Sequence, residues 1–124
     1  MTTIKQMEKL LDKVTEKYDL SYSLNGNEKD GYNIEIEYWS DLGEDVLIYL
    51  HLEELSFEEL LKEMSEYYNS FDAEDHATEL YNLHGSRGTP TSLRLLLQDA
   101  DEQEEMLKNI YNTMFEIYYE KIRK

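Results

Sequence analysis

Three groups of side chains in this sequence are spaced so that they could do chemistry. Asp72 and His76 stand four residues apart, with Asp75 adjoining, in a stretch of helical periodicity. A carboxylate and an imidazole at i,i+4 share one helix face and can fill two positions of a Zn²⁺ or similar site. The same residues also read as plain helix architecture, with Asp72 the N-cap, Asp75 a first-turn acid and His76 a half-buried helical residue. The segment HGSRGTPTSLR, 84–94, sets backbone amides at a helix N-terminus beside Arg87 and Arg94. That is a recipe for an anion site, and also for a glycine turn before a capped helix whose arginines pair with acids. The third group is the carboxylates themselves. Glu35 and Glu37 project from one face of a strand about 6–7 Å apart, by the strand rise. Glu59 and Glu63 stand about one helical turn apart on one helix face. Such spacings are comparable to those of successive phosphates, so a row of carboxylates can engage a Lys/Arg groove meant for nucleic acid and gain on-rate by electrostatic steering. The other reading is a solvated acidic face. A solvent-facing Tyr or Trp39 beside those acids would anchor an interface.

Catalytic signatures are missing. The chain has no Cys, no GxSxG, no HExxH and no Gly-rich phosphate loop with its Lys, so a non-enzymatic protein is expected. The absence of Cys also removes disulfides and thiolate zinc fingers and fits an intracellular protein. The first thirteen residues, MTTIKQMEKLLDK, contain no apolar h-region, and the longest unbroken apolar run is Val46 to Leu50, so no signal peptide or membrane span is expected.

Charge narrows the partner class. Among 124 residues, 28 acids face 12 Lys and Arg, for a formal net charge of −16. Residues 28–79 hold seventeen acids and two bases, which places fifteen of the sixteen net charges in one 52-residue segment. Direct nucleic-acid binding is excluded, because phosphate contact needs clustered cations. A basic partner is expected instead. With 40% apolar residues, eleven Tyr, three Phe and one Trp, the chain is too rich in core-forming side chains for a disordered acidic tail.

The elements that must position these residues follow from periodicity. Ile4, Met7, Leu11, Val14 and Tyr18 form one apolar stripe, predicting a helix over 3–19. Residues 20–52 read as a sheet. The turn-rich NGNEKDG, 25–31, carries the Asn25-Gly26 hairpin signal between the first two strands, and Tyr32, Ile34, Ile36 and Tyr38 alternate with Asn33, Glu35, Glu37 and Trp39. Residues 40–45 read as a turn. Val46 to Leu52 is apolar on both faces, which predicts a central strand. Residues 56–124 are helical. Ser56 and Glu59 form a capping box for a helix to about Tyr68. A second helix over 73–84 ends at Gly85. A third starts at Thr89-Pro90-Thr91-Ser92, with a break near Asp99–Glu102 before a last helix whose seam is Leu107, Ile110, Met114, Ile117 and Lys121. The result is a single α+β domain, 1–124: an N-terminal helix, a three-stranded antiparallel sheet with helices on one side, then three to four C-terminal helices. The order α-β-β-β-α matches double-stranded-RNA-binding domains, but the second helix carries Lys62 alone, so RNA binding is rejected.

The stretch Phe71 to Leu107, FDAEDHATELYNLHGSRGTPTSLRLLLQDADEQEEML, resembles a pattern in small proteins of Gram-positive phages and mobile elements. Its parts are an aromatic-Asp-x-x-acid-His helix start, a Gly-rich turn with Arg, and Pro-x-Ser-Leu-Arg-x-Leu-Leu-x-Asp-Ala. Small acidic α+β proteins of such elements resemble anti-CRISPR proteins that inhibit the single-effector, type II nuclease. The resemblance implies a role class and no catalytic residues: an inhibitor in the host bacterial cytoplasm that occupies a guide-, DNA- or PAM-binding surface or traps a conformation of the effector. Some such inhibitors bind metal, which bears on Asp72 and His76. The expected partner-binding acids are Glu35, Glu37, Asp41, Glu44, Asp45, Glu53, Glu54, Glu58, Glu59, Glu63 and Glu66. Two further expectations stand beside this one. One is an intracellular scaffold that binds a helix through the C-terminal seam, and the other a small metal-binding protein, with possible Zn, centred on His76.

Overall fold

Thr3 opens the first helix, α1 (Ile4–Tyr18), with a reciprocal capping box: Gln6 N–H donates to Thr3 Oγ1 at 3.2 Å, and Thr3 N–H donates to Gln6 Oε1 at 2.9 Å. The structure, a computed structural model, describes residues 2–40, 42, 45–86 and 92–123, with the side chains of 86 and 121–123 outside that description. Helix α1 buries Met7, Leu10, Leu11 and Val14, while Ile4 stays exposed. It ends at Asp19 in the left-handed conformation. Tyr18, its last residue, shares a hydrogen bond of 2.7 Å with Thr113 Oγ1 and donates to the Asn109 carbonyl at 3.2 Å.

Three strands follow, β1 (Ser21–Asn27), β2 (Gly31–Trp39) and β3 (Asp45–Leu52), paired antiparallel in the order β1-β2-β3. Two expectations are corrected here. The turn falls within the expected 25–31, but Asn25-Gly26 does not form it: both residues are part of β1, paired with Asn33 and Tyr32. The turn is Glu28-Lys29-Asp30, closed by Asn27, whose Oδ1 accepts from Asp30 N–H at 2.8 Å. Gly26 is needed for close approach instead: at φ 126°, a Cβ there would sit 2.3 Å from the Gly31 carbonyl oxygen. The second correction is that β2, not β3, is central. Strand β3 has two apolar faces, yet only Ile48, Leu50 and Leu52 are buried; Leu47 and Tyr49, on its other face, are about half exposed. The apolar pattern that suggested a central strand belongs to an edge strand with one bare face.

Helix α2 (Phe57–Ser70) starts as expected, with Ser56 Oγ accepting from Glu59 N–H at 3.1 Å. The returning half of that capping box does not form, because the Glu59 carboxylate reaches back further. Helix α3 (Ala73–Ser86) is capped by Asp72, whose Oδ1 accepts from Asp75 N–H at 3.1 Å. Gly85 lies inside its last turn, not after it. Helix α4 (Leu93–Arg123) is one unbroken rod of 31 residues, about 46 Å long by the helical rise. The expected break near Asp99 is absent because Asp99 does not cap a new helix: its Oδ2 accepts from Gln103 Nε2 at 3.2 Å, one turn on within the same helix. Ser92 opens α4, its Oγ accepting from Leu95 N–H at 3.4 Å, while Thr89, Pro90 and Thr91 lie outside the described residues.

The main core joins α1, α2, the distal part of α4 and one sheet face, through Met7, Leu11, Ile34, Ile36, Leu50, Leu60, Met64 and Ile110 among others. A smaller cluster of Ala73, Ala77, Leu96 and Ala100 packs α3 against the first half of α4. The C-terminal seam belongs to the main core. Leu107, Ile110 and Met114 are buried within the chain and Ile117 packs against them; the Lys121 side chain lies outside the described residues. All helices that contribute to this core lie on one side of the sheet, so the opposite face is open.

Candidate functional site: an open acidic sheet face

Strand alternation and register decide what the open face presents. Across β2 it carries Asn33, Glu35, Glu37 and Trp39; across β3 it carries His51, Tyr49, Leu47 and Asp45, paired with them in that order. Strand β1 adds Ser21, Ser23 and Asn25, which pair with Glu37, Glu35 and Asn33. The face therefore holds three carboxylates, one imidazole and three large apolar side chains, with no Lys or Arg. Trp39 is 64% exposed, Tyr49 52% and Leu47 50%. Exposed aromatics with a polar handle beside carboxylates are the composition of an interface anchor.

The acids on this face repel one another. The Glu37 carboxyl lies beside that of Asp45, its diagonal neighbour on β3. That contact, the Asp45 charge, burial and the Glu35 charge, in that order, hold the Glu37 carboxyl above the usual carboxylate range. A cation brought to the face would relieve this repulsion. His51 is tied locally, its Nδ1 lying 2.8 Å from Asn33 Oδ1.

The eleven expected acids divide between surfaces. Glu35, Glu37 and Asp45 share the open face. Glu58, Glu63 and Glu66 lie on α2, which packs on the other side of the sheet. Glu53 and Glu54 sit in the β3–α2 connection, and Asp41 and Glu44 lie outside the described residues. One continuous acidic strip through all the described members of the set is not formed. Glu59 is taken up by the fold, because its Oε1 and Oε2 accept the backbone N–H groups of Glu53 and Glu54 at 2.9 and 3.0 Å, tying the strand end to the helix start. Glu58 is also engaged, accepting from Tyr118 Oη at 3.3 Å, and burial beside Glu58 raises the Tyr118 phenol above its ordinary range.

The metal expectation at Asp72 and His76 meets a different arrangement. Asp72 caps α3, and the His76 ring lies against Phe71 with centroids 5.5 Å apart. Among the described residues no group of three or more His, Asp or Glu gathers to hold a metal ion. Of the anion recipe, Arg94 is exposed in the first turn of α4, and Arg87 lies outside the described residues.

Sequence reasoning missed one arrangement. Asp99 is 4% exposed, and its Oδ1 has no hydrogen-bond partner. Its only outward signal is an Asp one helical turn before Gln103, a position that reads equally well as a helix cap.

Among the described residues no helix is long and apolar enough to cross a membrane. No family model matches the chain, and neither a curated protein nor a solved structure matches it significantly.

Proposed function

We propose that this protein is a non-enzymatic inhibitor that docks its open sheet face on the basic, nucleic-acid-binding surface of a nuclease. The carrying observation is the face itself: Glu35, Glu37 and Asp45 interleaved with exposed Trp39, Leu47 and Tyr49 on a sheet side that no helix of the core covers. Carboxylates give steering and selectivity for a Lys/Arg groove, while the aromatics supply the desolvated area that holds a complex together. The resemblance of residues 71–107 to phage and mobile-element proteins supplies the class of target, a type II CRISPR effector nuclease, and with it action in the bacterial cytoplasm.

The scaffold reading has less support, because Leu107, Ile110 and Met114 of its seam are core residues. The metal reading is not carried forward, since no ligand group accompanies His76 among the described residues.

The test is co-elution of the purified protein with a guide-loaded type II effector nuclease and its effect on DNA cleavage, between about 0.1 and about 0.5 M salt, where screening lengths fall from about 10 to about 4 Å. Binding and inhibition that weaken with salt support the reading. Absence of binding at low salt rejects it.

A further inference from the structure

At one end of the open face the molecule carries a cleft of about 650 Å³, set between the α1–β1 junction, the end of β2 and the first half of α4. Four carboxylate side chains line it, Asp19, Glu37, Asp99 and Glu102, and none of its described lining residues is Lys or Arg. Tyr18 and Trp39 contribute aromatic rings to its walls.

An acidic concavity alone says little, because solvated carboxylates are common on a chain of this charge. Asp99 is what distinguishes it. Its side chain is removed from water, one oxygen is held by Gln103 Nε2, and the other, Oδ1, has no partner. A buried carboxylate oxygen left without a donor costs stability, of the kind a fold retains for binding. The missing partner is a donor.

We propose that this cleft takes an arginine side chain of the basic partner, with its guanidinium directed to Asp99. The inference rests on the functional reading above, since that reading supplies the basic partner. The chemistry selects among cations. A divalent metal needs several converging ligands, and no such group exists among the described residues. A lysine ammonium is a compact, strongly hydrated charge that gains little from aromatic walls. A guanidinium is planar and weakly hydrated, forks onto carboxylates through parallel N–H donors, and stacks on aromatic faces such as Trp39.

Trp39 is the one tryptophan of the chain and lines the cleft, so its fluorescence reports occupancy directly. The probe is N-acetyl-arginine amide, with the uncharged citrulline amide and the lysine amide as comparisons. The arginine amide is expected to change Trp39 emission saturably in the low millimolar range, the citrulline amide not at all, and Asp99→Asn to weaken the response about tenfold or more. Asp99→Asn should also weaken binding to the nuclease. A citrulline response equal to that of arginine, or an Asp99→Asn titration identical to wild type, overturns the proposal. Should Asp99→Asn fail to fold, nuclear magnetic resonance mapping of the wild-type titration decides: perturbations must fall on residues 18–21, 37–40 and 99–106, and a response elsewhere removes the cleft. The probe needs no nuclease, so the two claims fail separately. Arginine-amide binding without nuclease binding supports the cleft and sinks the inhibitor reading. Nuclease binding untouched by Asp99→Asn, with no response to the probe, does the reverse.

Discussion

Glu37 and Asp45 meet diagonally across the β2–β3 pair, carboxyl beside carboxyl, on the sheet face that no helix of the core covers. Two like charges in contact favour a shared proton at acid pH and an external cation at neutral pH. Around them stand Trp39 and Leu47, so this like-charge pair borders the chain's one tryptophan and a bare leucine.

The pair makes a pH prediction. The folded state holds the Glu37 carboxyl above its unfolded value, so the stability it contributes is present in full below the unfolded value and is lost as pH rises through the raised one. Glu37→Gln should therefore melt at or above the wild-type temperature at neutral pH, and the difference should close on acidification. Thermal melts across the acid range check this; a variant less stable than wild type at neutral pH would show the pair to be net favourable.

At the alkaline end Tyr22 is the group to watch. Its phenol donates to Asp12 Oδ1 at 2.7 Å, and burial together with that carboxylate pushes it up to about 12. The folded value lies above the unfolded one, so the contribution is complete below the ordinary tyrosine range and disappears as pH approaches about 12. Tyr22→Phe should lessen the decline in stability over that window. Ultraviolet titration should show at least one tyrosine ionising late in the wild type and lost from that late phase in the variant.

Glu59 illustrates an acid whose sequence context suggested binding while the fold employs it. Removing its carboxylate in Glu59→Ala leaves the Glu53 and Glu54 amides without their partner and should cost about 1 kcal/mol, roughly 3–6 °C in melting temperature. Glu63→Lys, on the same helix, should change stability by less than half of that. A Glu59→Ala variant as stable as wild type would contradict the structural role.

Much of the architecture was legible in the sequence because periodicity reports which side is buried. The stripe of α1, the alternation of Tyr32, Ile34, Ile36 and Tyr38, and the Ser56 and Asp72 caps all carry their own physical cause. What was misread shares one origin: a local signal with two uses. Gly26 permits a close backbone approach as well as a turn, Asp99 can satisfy Gln103 as well as a helix start, and two apolar faces on β3 fit an edge strand with a bare face as well as a central one. The site was legible only in part. Glu35 and Glu37 could be placed on one face from the strand period alone, whereas their union with Asp45, Leu47 and Tyr49 depends on register, which single-strand periodicity does not contain.

The seam of α4 gives a prediction about the core. Met114 is fully buried among core residues, so Met114→Ala should cost about 2–4 kcal/mol and Met114→Lys should abolish cooperative folding, not merely a partner contact. Circular dichroism melts distinguish these outcomes; a folded, stable Met114→Lys protein would reopen the seam as a surface.

Asp99 should behave in the opposite sense. Replacing its buried, half-satisfied carboxylate by the near-isosteric amide in Asp99→Asn is expected to raise stability by about 1 kcal/mol while weakening the cleft's affinity for guanidinium. A loss of both stability and affinity would make Asp99 a purely structural residue.

On the proposed function, the open sheet face, and not the acidic outer side of α2, meets a basic nucleic-acid-binding surface. The most direct measurement compares Glu35→Lys/Asp45→Lys with Glu63→Lys/Glu66→Lys in a binding titration against the guide-loaded effector nuclease at about 0.1 M salt. At least about a tenfold loss of affinity and a shallower salt dependence are expected for the sheet pair, with little change for the helix pair. Equal binding by the sheet pair and the wild type, or a loss confined to the helix pair, would contradict it.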